Sequence, residues 1–577
     1  MKRYLKLAVI ALLFAEKCQS ATSTFFDFDG AKVEMQIGGA TYTDGMTYAI
    51  GNTSVGTNSK VSVTVFNRGK TALKLTRTPA VTFSGTNAAQ FTADGPFDSV
   101  IAPGSSSSLL ITVVAQGAHG LQSAALSLAS NAGNFTLNIT CFLAGVDVAR
   151  DIYSGSNNSN PSGFTVMGSN AYFAANDGSN GMELWKSDGT VAGTTLLKDI
   201  NPGAGGSSPS NFIVMNGVLY FTANDGSTGT ELWKSDGTAS GTTQVKDIYT
   251  GVSNSASPQY LVFSGSTLYF QATDATNGTE LWKSDGTSGG TSIVKDINSG
   301  AGSSNPLNLI LMAGTLYFSA TDGTGSNSGF ELWKSDGTSG GTTQVKDIYA
   351  GALSSSPTNF AVVNGTLFFA ATDGTGNELW KSDGTSLGTV QVKDIFASGA
   401  LGSNPANLTA LGTTLLFTAN DGSSGVELWR SDGTTVGTTQ VKDIYSGASS
   451  GNPSNLIVFN STLYFSAQDG TNGYELWKSD GTTGGTSLMQ DIYSGSTGSN
   501  PQYLTVLGNE LYFAASDSTN GNELWKLPLT GAASLVRDIY SGTSSASPQS
   551  LTAWGNNLIF SAAGSSGIEP HVYLAPQ

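Results

Sequence analysis

The octapeptide "ELWKSDGT" at Glu231–Thr238 recurs along the chain and decides the fold. Its Glu-Leu-Trp core returns every 47 to 51 residues. The tryptophans of these copies are Trp185, Trp233, Trp282, Trp333, Trp380, Trp429, Trp477 and Trp525. A fixed period of this length indicates an array in which one supersecondary unit is repeated.

One repeat predicts four short strands, over 212–215, 219–223, 231–234 and 244–248. Asn216-Gly217 and Asp236-Gly237 supply residues that tight turns between antiparallel strands require. Four antiparallel strands in roughly 45–50 residues are the pattern of a propeller blade. Apolar residues on both faces of the strands agree with this, because neighbouring blades cover each blade on both sides.

The two ends of the array predict how it closes. The Asp-Ile pair of the fourth strand first occurs at Asp151-Ile152, where no three strands precede it, and the last repeat has three strands but no fourth. We therefore expect a ring of nine blades, the last completed by the N-terminal strand 146–152. Two fused rings would break the spacing, and an open solenoid would carry polar caps rather than complementary halves.

The segment before the array has two parts. Lys2 and Arg3 precede an apolar run over 7–15, which predicts a secretory signal peptide over 1–20. Residues 21–145 lack the octapeptide and show short alternating strands separated by turns, which predicts an immunoglobulin-like β-sandwich. The expected organisation is signal peptide, sandwich over 21–145 and propeller over 146–577, in an all-β protein.

Composition limits the function further. The net charge of −16 disfavours nucleic acid as a partner. Removal of the leader would also remove Cys18, leaving Cys141 as the single cysteine, so no intrachain disulfide is expected and Cys141 is interpreted as a buried, inert thiol. No later run is long and apolar enough to cross a bilayer, and we expect a monomer.

Two resemblances follow from these motifs. The pattern "ELWKSDGT…GT…VKDI" resembles the ELWxxDGT repeat family of exported bacterial proteins over about 146–573, with departures at Arg430, Lys526-Leu527-Pro528 and Glu569-Pro570-His571. The family label describes the repeat and implies no reaction. The stretches "VSVTVFNRGKTALKLT", "IAPGSSSSLLITVVAQ" and "FTLNITCFLAG" resemble choice-of-anchor D and ASH-type domains, which implies a spacer or docking role.

Each repeated residue has a structural and a functional interpretation. The tryptophans could line sugar-binding grooves, but their strict Leu-Trp pairing favours packing between blades. The aspartates of the Ser-Asp-Gly-Thr turns are candidate Ca²⁺ ligands: Asp188, Asp236, Asp285, Asp336, Asp383, Asp432 and Asp480. Since a calcium loop needs about six to eight oxygens and each turn offers one carboxylate, a structural turn is favoured and no cofactor other than possible Ca²⁺ is expected.

Two further charged patterns repeat. Asp225 and Glu231, with their equivalents, could form a metal site or an acid–base couple, although such repetition favours a structural role. Lys246-Asp247-Ile248 places a cation beside an anion, which suggests a bridge between strands or blades.

Repetition without one asymmetric constellation predicts a protein that is not an enzyme. We expect an exported binding, adhesion or surface scaffold, secreted or at the bacterial cell surface or periplasm, that presents a propeller face to protein or glycan. The alternatives are a propeller glycosidase or lyase with carboxylates at the central channel, and a purely structural surface-layer component. His119 and His571 lie in different domains without motif context, and no nucleophile elbow or phosphate-binding loop occurs.

Overall fold

The computed structural model describes a chain of strands and turns that separates into two compact units. The described residues are 33–37, 40–42, 45–50, 53–54, 58–76, 81–85, 87–94, 97–114, 120–323, 329–397 and 401–575. The units are Met1–Gly145 with Leu574–Gln577, and Val146–Tyr573. The signal peptide predicted over 1–20 and His119 lie outside the described residues.

The first unit is a β-sandwich in its described part. Its strands are β1 (Val33–Ile37), β2 (Ala40–Tyr42), β3 (Thr47–Ala49), β4 (Thr53–Ser54), β5 (Asn58–Asn67), β6 (Leu73–Lys74), β7 (Val81–Ser84), β8 (Phe91–Asp94), β9 (Val100–Ile101), β10 (Ser106–Val114), β11 (Gly120–Ser130) and β12 (Gly133–Val148), with a 3₁₀ turn at Ala88–Gln90. One sheet has the order β2-β1-β5-β10-β8, and the other contains β12-β11-β7.

Apolar residues from both sheets of the sandwich meet in one core. Met35, Val63 and Ile111 come from the first sheet, while Leu126 and Leu137 come from the second. The alternation that predicted the sandwich places these residues on the inner faces. Cys141 lies in β12, in a stretch whose side chains are outside the described part.

The second unit contains eight complete blades, each a four-stranded antiparallel sheet in chain order. Blade 1 consists of β13 (Ser162–Met167), β14 (Asn170–Asn176), β15 (Met182–Ser187) and β16 (Thr195–Lys198), and blade 2 of β17 (Ser210–Met215), β18 (Val218–Asn224), β19 (Thr230–Ser235) and β20 (Thr243–Lys246). Blade 3 consists of β21 (Gln259–Ser264), β22 (Thr267–Asp274), β23 (Gly278–Ser284) and β24 (Ser292–Lys295). Blade 4 consists of β25 (Leu307–Met312), β26 (Thr315–Ala320), β27 (Glu331–Ser335) and β28 (Thr343–Lys346). Blade 5 consists of β29 (Thr358–Val363), β30 (Thr366–Thr372), β31 (Asn377–Ser382) and β32 (Val390–Lys393), and blade 6 of β33 (Ala406–Leu411), β34 (Thr414–Asn420), β35 (Val426–Ser431) and β36 (Thr439–Lys442). Blade 7 consists of β37 (Ser454–Phe459), β38 (Thr462–Gln468), β39 (Tyr474–Ser479) and β40 (Ser487–Gln490). Blade 8 consists of β41 (Gln502–Leu507), β42 (Glu510–Asp517), β43 (Gly521–Pro528) and β44 (Ser534–Arg537).

A ninth blade closes the ring. It consists of β45 (Gln549–Trp554), β46 (Asn557–Gly564) and β47 (Gly567–Leu574), and the end of β12 pairs with β47 as the fourth strand. The Ala149 N–H donates to the carbonyl of Pro570 at 2.8 Å. First strands of adjacent blades contact each other all around the ring, including β45 against β13. The predicted closed ring of nine blades is therefore confirmed, and the open solenoid is excluded.

The fourth strands are shorter than the sequence predicts. The strand expected over 244–248 ends at Lys246, and the closing strand expected over 146–152 ends at Val148. The Asp-Ile pair instead begins the linker to the next blade, because the Ile248 N–H donates to the Glu231 carboxylate at 3.0 Å rather than to a strand.

Candidate functional site

The repeated tryptophans lie between blades. All eight are only 4–8% exposed. Trp233 of blade 2 packs with Leu184 and Ile200 of blade 1 and with Phe221 of its own blade. Because the rings are enclosed by neighbouring blades, they cannot form surface sugar platforms.

Repeated lysines join each blade to the next. At the end of the fourth strand, Lys246 Nζ donates to the carbonyl of Thr291 in the following blade at 2.8 Å. In the third strand, Lys234 Nζ donates to the carbonyl of Gly286 at 2.8 Å. The lysine beside Asp247 thus binds a backbone carbonyl of the next blade, in agreement with the predicted bridge between blades.

The glutamate of each Glu-Leu-Trp is buried and holds the linker to the next blade. Glu183 Oε2 accepts the Ile200 N–H at 2.9 Å and the Ser207 hydroxyl at 2.6 Å, while Oε1 accepts the Ser207 N–H at 2.7 Å. Buried carboxylates are stable only when donors surround them in this way. In the last blade Glu569 binds Ile152 and Ser159 in the same manner, so it ties the two ends of the ring together.

Three blades lack the serine hydroxyl that completes this arrangement. Ala256, Gly451 and Ala546 occupy the position of Ser207 and donate only a backbone N–H. Burial raises the pKa of Glu231, Glu427 and Glu523, the carboxyls of these blades, to about 7.

The aspartates proposed as calcium ligands are occupied by their own turns. Asp236 Oδ1 accepts both the N–H of Thr238 at 2.9 Å and its hydroxyl at 2.7 Å, and the other six turns have the same pairing. A Cβ at Gly241 would come within 2.1 Å of Asp236 Oδ1, which explains the glycine five residues later. No group of three His, Cys, Asp or Glu side chains that could hold a metal occurs among the described residues. The hydrogen bonds to Oδ1 give these aspartates a structural role in their turns.

The Asp–Glu couples of the repeats serve separate backbone segments. Asp225 Oδ1 accepts the N–H groups of Ser227 and Thr228 at 2.8 and 2.7 Å in an exposed loop. Glu231 is fully buried and accepts from the linker. The hydrogen bonds give the two carboxylates separate structural roles, as the repetition of the couple suggests.

His571 is enclosed within blade 9. It is 2% exposed, its ring lies 5.8 Å from that of Phe560, and Nδ1 lies 3.0 Å from the carbonyl of Glu569. Burial lowers the pKa of His571 to about 4. The imidazole is therefore neutral at physiological pH and shielded from solvent.

The innermost strands form a wall without charge. The nine first strands, β13, β17, β21, β25, β29, β33, β37, β41 and β45, contain no Asp, Glu, Lys, Arg or His. Their polar residues are Asn, Gln, Ser and Thr, most of them in the first two positions of a strand, and mainly apolar residues follow. The carboxylates that a channel glycosidase would need are thus missing from these strands.

Two tyrosines break the symmetry of this wall. The second residue of most first strands is Asn at a positive φ, for example Asn211 at 55° and Asn359 at 55°. Tyr260 and Tyr503 take this position in blades 3 and 8, with φ of 55° and 54°, and are 41% and 40% exposed. In a ring of nine, blades 3 and 8 lie on roughly opposite sides.

No family model and no curated protein matches the chain. Solved structures that it resembles include a puromycin hydrolase (16% identity, TM-score 0.35, covering 61% of this chain and 58% of that one). A prolyl endopeptidase matches at 13% identity and a TM-score of 0.37, covering 57% of this chain and 49% of the other. The β-propeller domain of the Trilobed protease from Pyrococcus furiosus matches at 10% identity and a TM-score of 0.33, covering 66% of this chain and 98% of that domain.

The activities named for several of these structures differ from the function predicted from the sequence. The chain spans 58% and 49% of the two peptidases it matches. Several of the matched structures are peptidases, which is contrary to the prediction of a non-enzymatic adhesion or surface scaffold. At these identities the likeness itself shows the β-propeller fold. In the described part of the chain, no helix has the length and apolar character needed to cross a membrane.

Proposed function

We propose that this protein functions in peptide hydrolysis and that the centre of its ring receives the peptide. The observation that carries the proposal is the uncharged inner wall, in a chain that has 42 acidic and 26 basic residues elsewhere. An inner wall without charged side chains suits a neutral, extended substrate rather than an ionic one.

The chemistry of the wall matches a peptide backbone. Each residue of an extended peptide presents one N–H donor and one carbonyl acceptor that need partners when they leave water. Asn, Gln, Ser and Thr side chains of the first strands provide both kinds of group. Aliphatic neighbours and the exposed rings of Tyr260 and Tyr503 provide contact for apolar side chains.

The proposal also includes export and family. The basic and apolar residues of segment 1–20 support export, and the octapeptide array over 146–573 supports membership of the ELWxxDGT repeat family. The partner is a peptide substrate. The proposal assigns the receiving surface and leaves the hydrolytic nucleophile unassigned.

A binding experiment tests the receiving surface. Ala410 and Ala553 are exposed on first strands, and Ala239 is exposed on the turn between the third and fourth strands of blade 2. We expect Ala410→Arg and Ala553→Arg to weaken binding of a fluorescent neutral decapeptide about tenfold, because a charged side chain enters the neutral wall. Ala239→Arg is the matched control and should leave the affinity unchanged. Equal affinities for all four proteins would overturn the proposed surface.

A second experiment tests hydrolysis. The purified full chain is incubated with a mixed library of neutral peptides, and new termini are identified by mass spectrometry. Products that Ala410→Arg abolishes and Ala239→Arg preserves are expected. Intact peptides throughout, despite measurable binding, would contradict the hydrolytic part of the proposal.

A further inference from the structure

An aromatic ring on the second strand fills the groove between most adjacent blades. Seven blades carry Tyr172, Tyr220, Tyr269, Tyr317, Phe368, Tyr464 or Tyr512 at the equivalent position. In blade 2 the ring reaches across to the next blade so closely that a Cβ at Gly286 would lie 2.1 Å from the Tyr220 hydroxyl. The tyrosine thus belongs to the packing between blades.

Blades 6 and 9 lack this ring, but only one of them compensates. In blade 9, Ile559 replaces the aromatic residue and Trp554 fills the groove, with Cζ3 3.3 Å from a Cβ placed at Gly189. In blade 6, Leu416 replaces it, and the atoms nearest to a Cβ at Gly481 are leucine methyl groups at 3.7 and 3.8 Å.

A cavity of about 330 Å³ opens where the ring is missing in blade 6. Its lining is Leu411, Gly412, Thr414, Arg430, Val458, Ser461, Asp480 and Gly481. An engineered cavity of about 150 Å³ is large enough to hold benzene, so this space can hold a substituted ring.

Three departures from the repeat meet at this cavity. Leu416 replaces the aromatic residue, and Arg430 replaces the lysine of the other ELWK copies. Ser461 has a φ of 58° in a turn where Gly217, Gly314 and Gly365 stand in comparable blades. A non-glycine residue in the left-handed region is strained, and such strain concentrates at functional positions. The repeat is therefore altered here on several strands at once.

The cavity has an apolar base and a polar rim of both signs. Leu411 and Val458 supply aliphatic surface. At the rim, Arg430 Nη1 donates to the carbonyl of Gly481 at 3.1 Å. The Thr482 hydroxyl and N–H lower the pKa of Asp480, which keeps that carboxylate ionised as an acceptor.

We propose that the cavity between blades 6 and 7 binds the side chain of a tyrosine from a peptide or protein ligand. A phenol combines an apolar ring with a hydroxyl that both donates and accepts, which matches the aliphatic base, Asp480 and Arg430. The bound ring would occupy the place that a resident tyrosine takes in the other grooves. The cavity shares Leu411 and Val458 with the first strands, but binding of a phenol there does not depend on the proposed hydrolysis.

The proposal is tested with p-cresol as the probe, titrated into the full-length protein by calorimetry and NMR. We expect one site with a Kd on the order of 1 mM, as is usual for a ligand of this size. Toluene should bind about tenfold more weakly, because it lacks the hydroxyl. N-acetyl-tyrosinamide should likewise bind more tightly than N-acetyl-phenylalaninamide.

Two reciprocal variants place the site in the fold. Leu416→Tyr restores the residue of the other blades, so it should fold and abolish binding. Tyr317→Leu opens the equivalent groove between blades 4 and 5, so it should raise the stoichiometry from one to two. Unchanged binding in Leu416→Tyr would overturn the proposal, as would the absence of binding to the unaltered protein at millimolar p-cresol. Leu416→Tyr decides the question alone if Tyr317→Leu does not fold.

Discussion

At the scale of single residues, the buried glutamates form a natural substitution series. Glu183 receives a serine hydroxyl in addition to backbone N–H groups, whereas Glu231 and Glu523 face alanines at the same point. The carboxylates without the hydroxyl have their pKa raised to about 7 by burial. The series therefore isolates the contribution of one charge-assisted hydrogen bond to a buried carboxylate.

Adding the hydroxyl should stabilise the protein at alkaline pH. Ala256→Ser and Ala546→Ser each place an O–H donor beside the ionised carboxylate, and we expect each to raise the free energy of unfolding by about 1 kcal/mol at pH 8. Chemical denaturation at pH 8 measures the effect. Ser207→Ala is the reverse control and should destabilise by a similar amount.

The same residues predict how stability depends on pH. A native pKa raised from 4.5 to about 7 means that the folded state binds more protons than the unfolded state between these values. The stability that Glu231, Glu427 and Glu523 contribute through their raised pKa is therefore fully present below about pH 4.5 and is lost as the pH rises through 7. The gain from Ala256→Ser should accordingly shrink at pH 4.5, and a gain independent of pH would contradict this account.

The two tyrosines in left-handed backbone store strain. Asn tolerates this conformation, and Asn359 also donates its side-chain amide to the Pro405 carbonyl of the next linker at 3.0 Å. Tyr260→Asn and Tyr503→Asn should each stabilise the protein by about 1 kcal/mol and raise its Tm in calorimetry. Tyr269→Asn, at a buried tyrosine of blade 3, should lower the Tm instead. A lower Tm in Tyr260→Asn would show that the ring contributes packing that exceeds the strain.

At the scale of elements, the blade interface depends on lysines that reach a neighbouring backbone. Lys234 and Lys478 occupy the same position in the third strand, but only the first faces an Asp-Gly turn in the next blade. Blade 8 carries Leu527-Pro528 instead. The chain therefore contains its own control for this contact.

Lys234→Met should lower the free energy of unfolding by about 1–2 kcal/mol, because it removes a charged donor from the Gly286 carbonyl while keeping the aliphatic stem. Lys478→Met should lower the free energy of unfolding by less than half as much, because Lys478 faces no Asp-Gly turn in blade 8. Urea denaturation of both variants measures the difference. Equal losses would mean that the lysine acts through its stem and not through the hydrogen bond.

The sequence predicts the blades well and their contacts poorly, for a physical reason. Strand order, blade number and ring closure follow from local periodicity and from the orphan segments at Asp151 and at the C-terminal repeat. The partners of Lys246 and Glu231 do not follow, because they depend on how one blade is offset against the next and on where the linker passes. The cavity beside Leu416 leaves a sequence signal, since Leu416 and Arg430 depart from the repeat within one blade. Whether another side chain fills the space, as Trp554 does in blade 9, requires the structure.

At the scale of the whole molecule, closure of the ring depends on contacts without a covalent link. Blades 1 to 8 are each built from one continuous segment, but in blade 9 the fourth strand is the end of β12, which pairs with β47 without a connecting hairpin. Arg537 donates to the carbonyl of Val146, and Glu569 accepts from Ile152 and Ser159. Together with the pairing of β12 and β47, these hydrogen bonds take the place of the hairpin that joins the third and fourth strands of every other blade.

Loss of one carboxylate should therefore matter most at the closing blade. Glu569→Gln replaces an acceptor with an amide that also carries donors, so its contacts with the Ile152 and Ser159 N–H groups are weakened. Glu331→Gln makes the same change between blades 4 and 5, where all four strands of blade 4 belong to one continuous segment. We expect a larger fall in Tm for Glu569→Gln and faster hydrogen exchange confined to β45–β47. Equal falls, with exchange spread over all blades, would show that closure contributes no more than any interior interface, because the blades would then be held chiefly by packing around Trp185 and its equivalents.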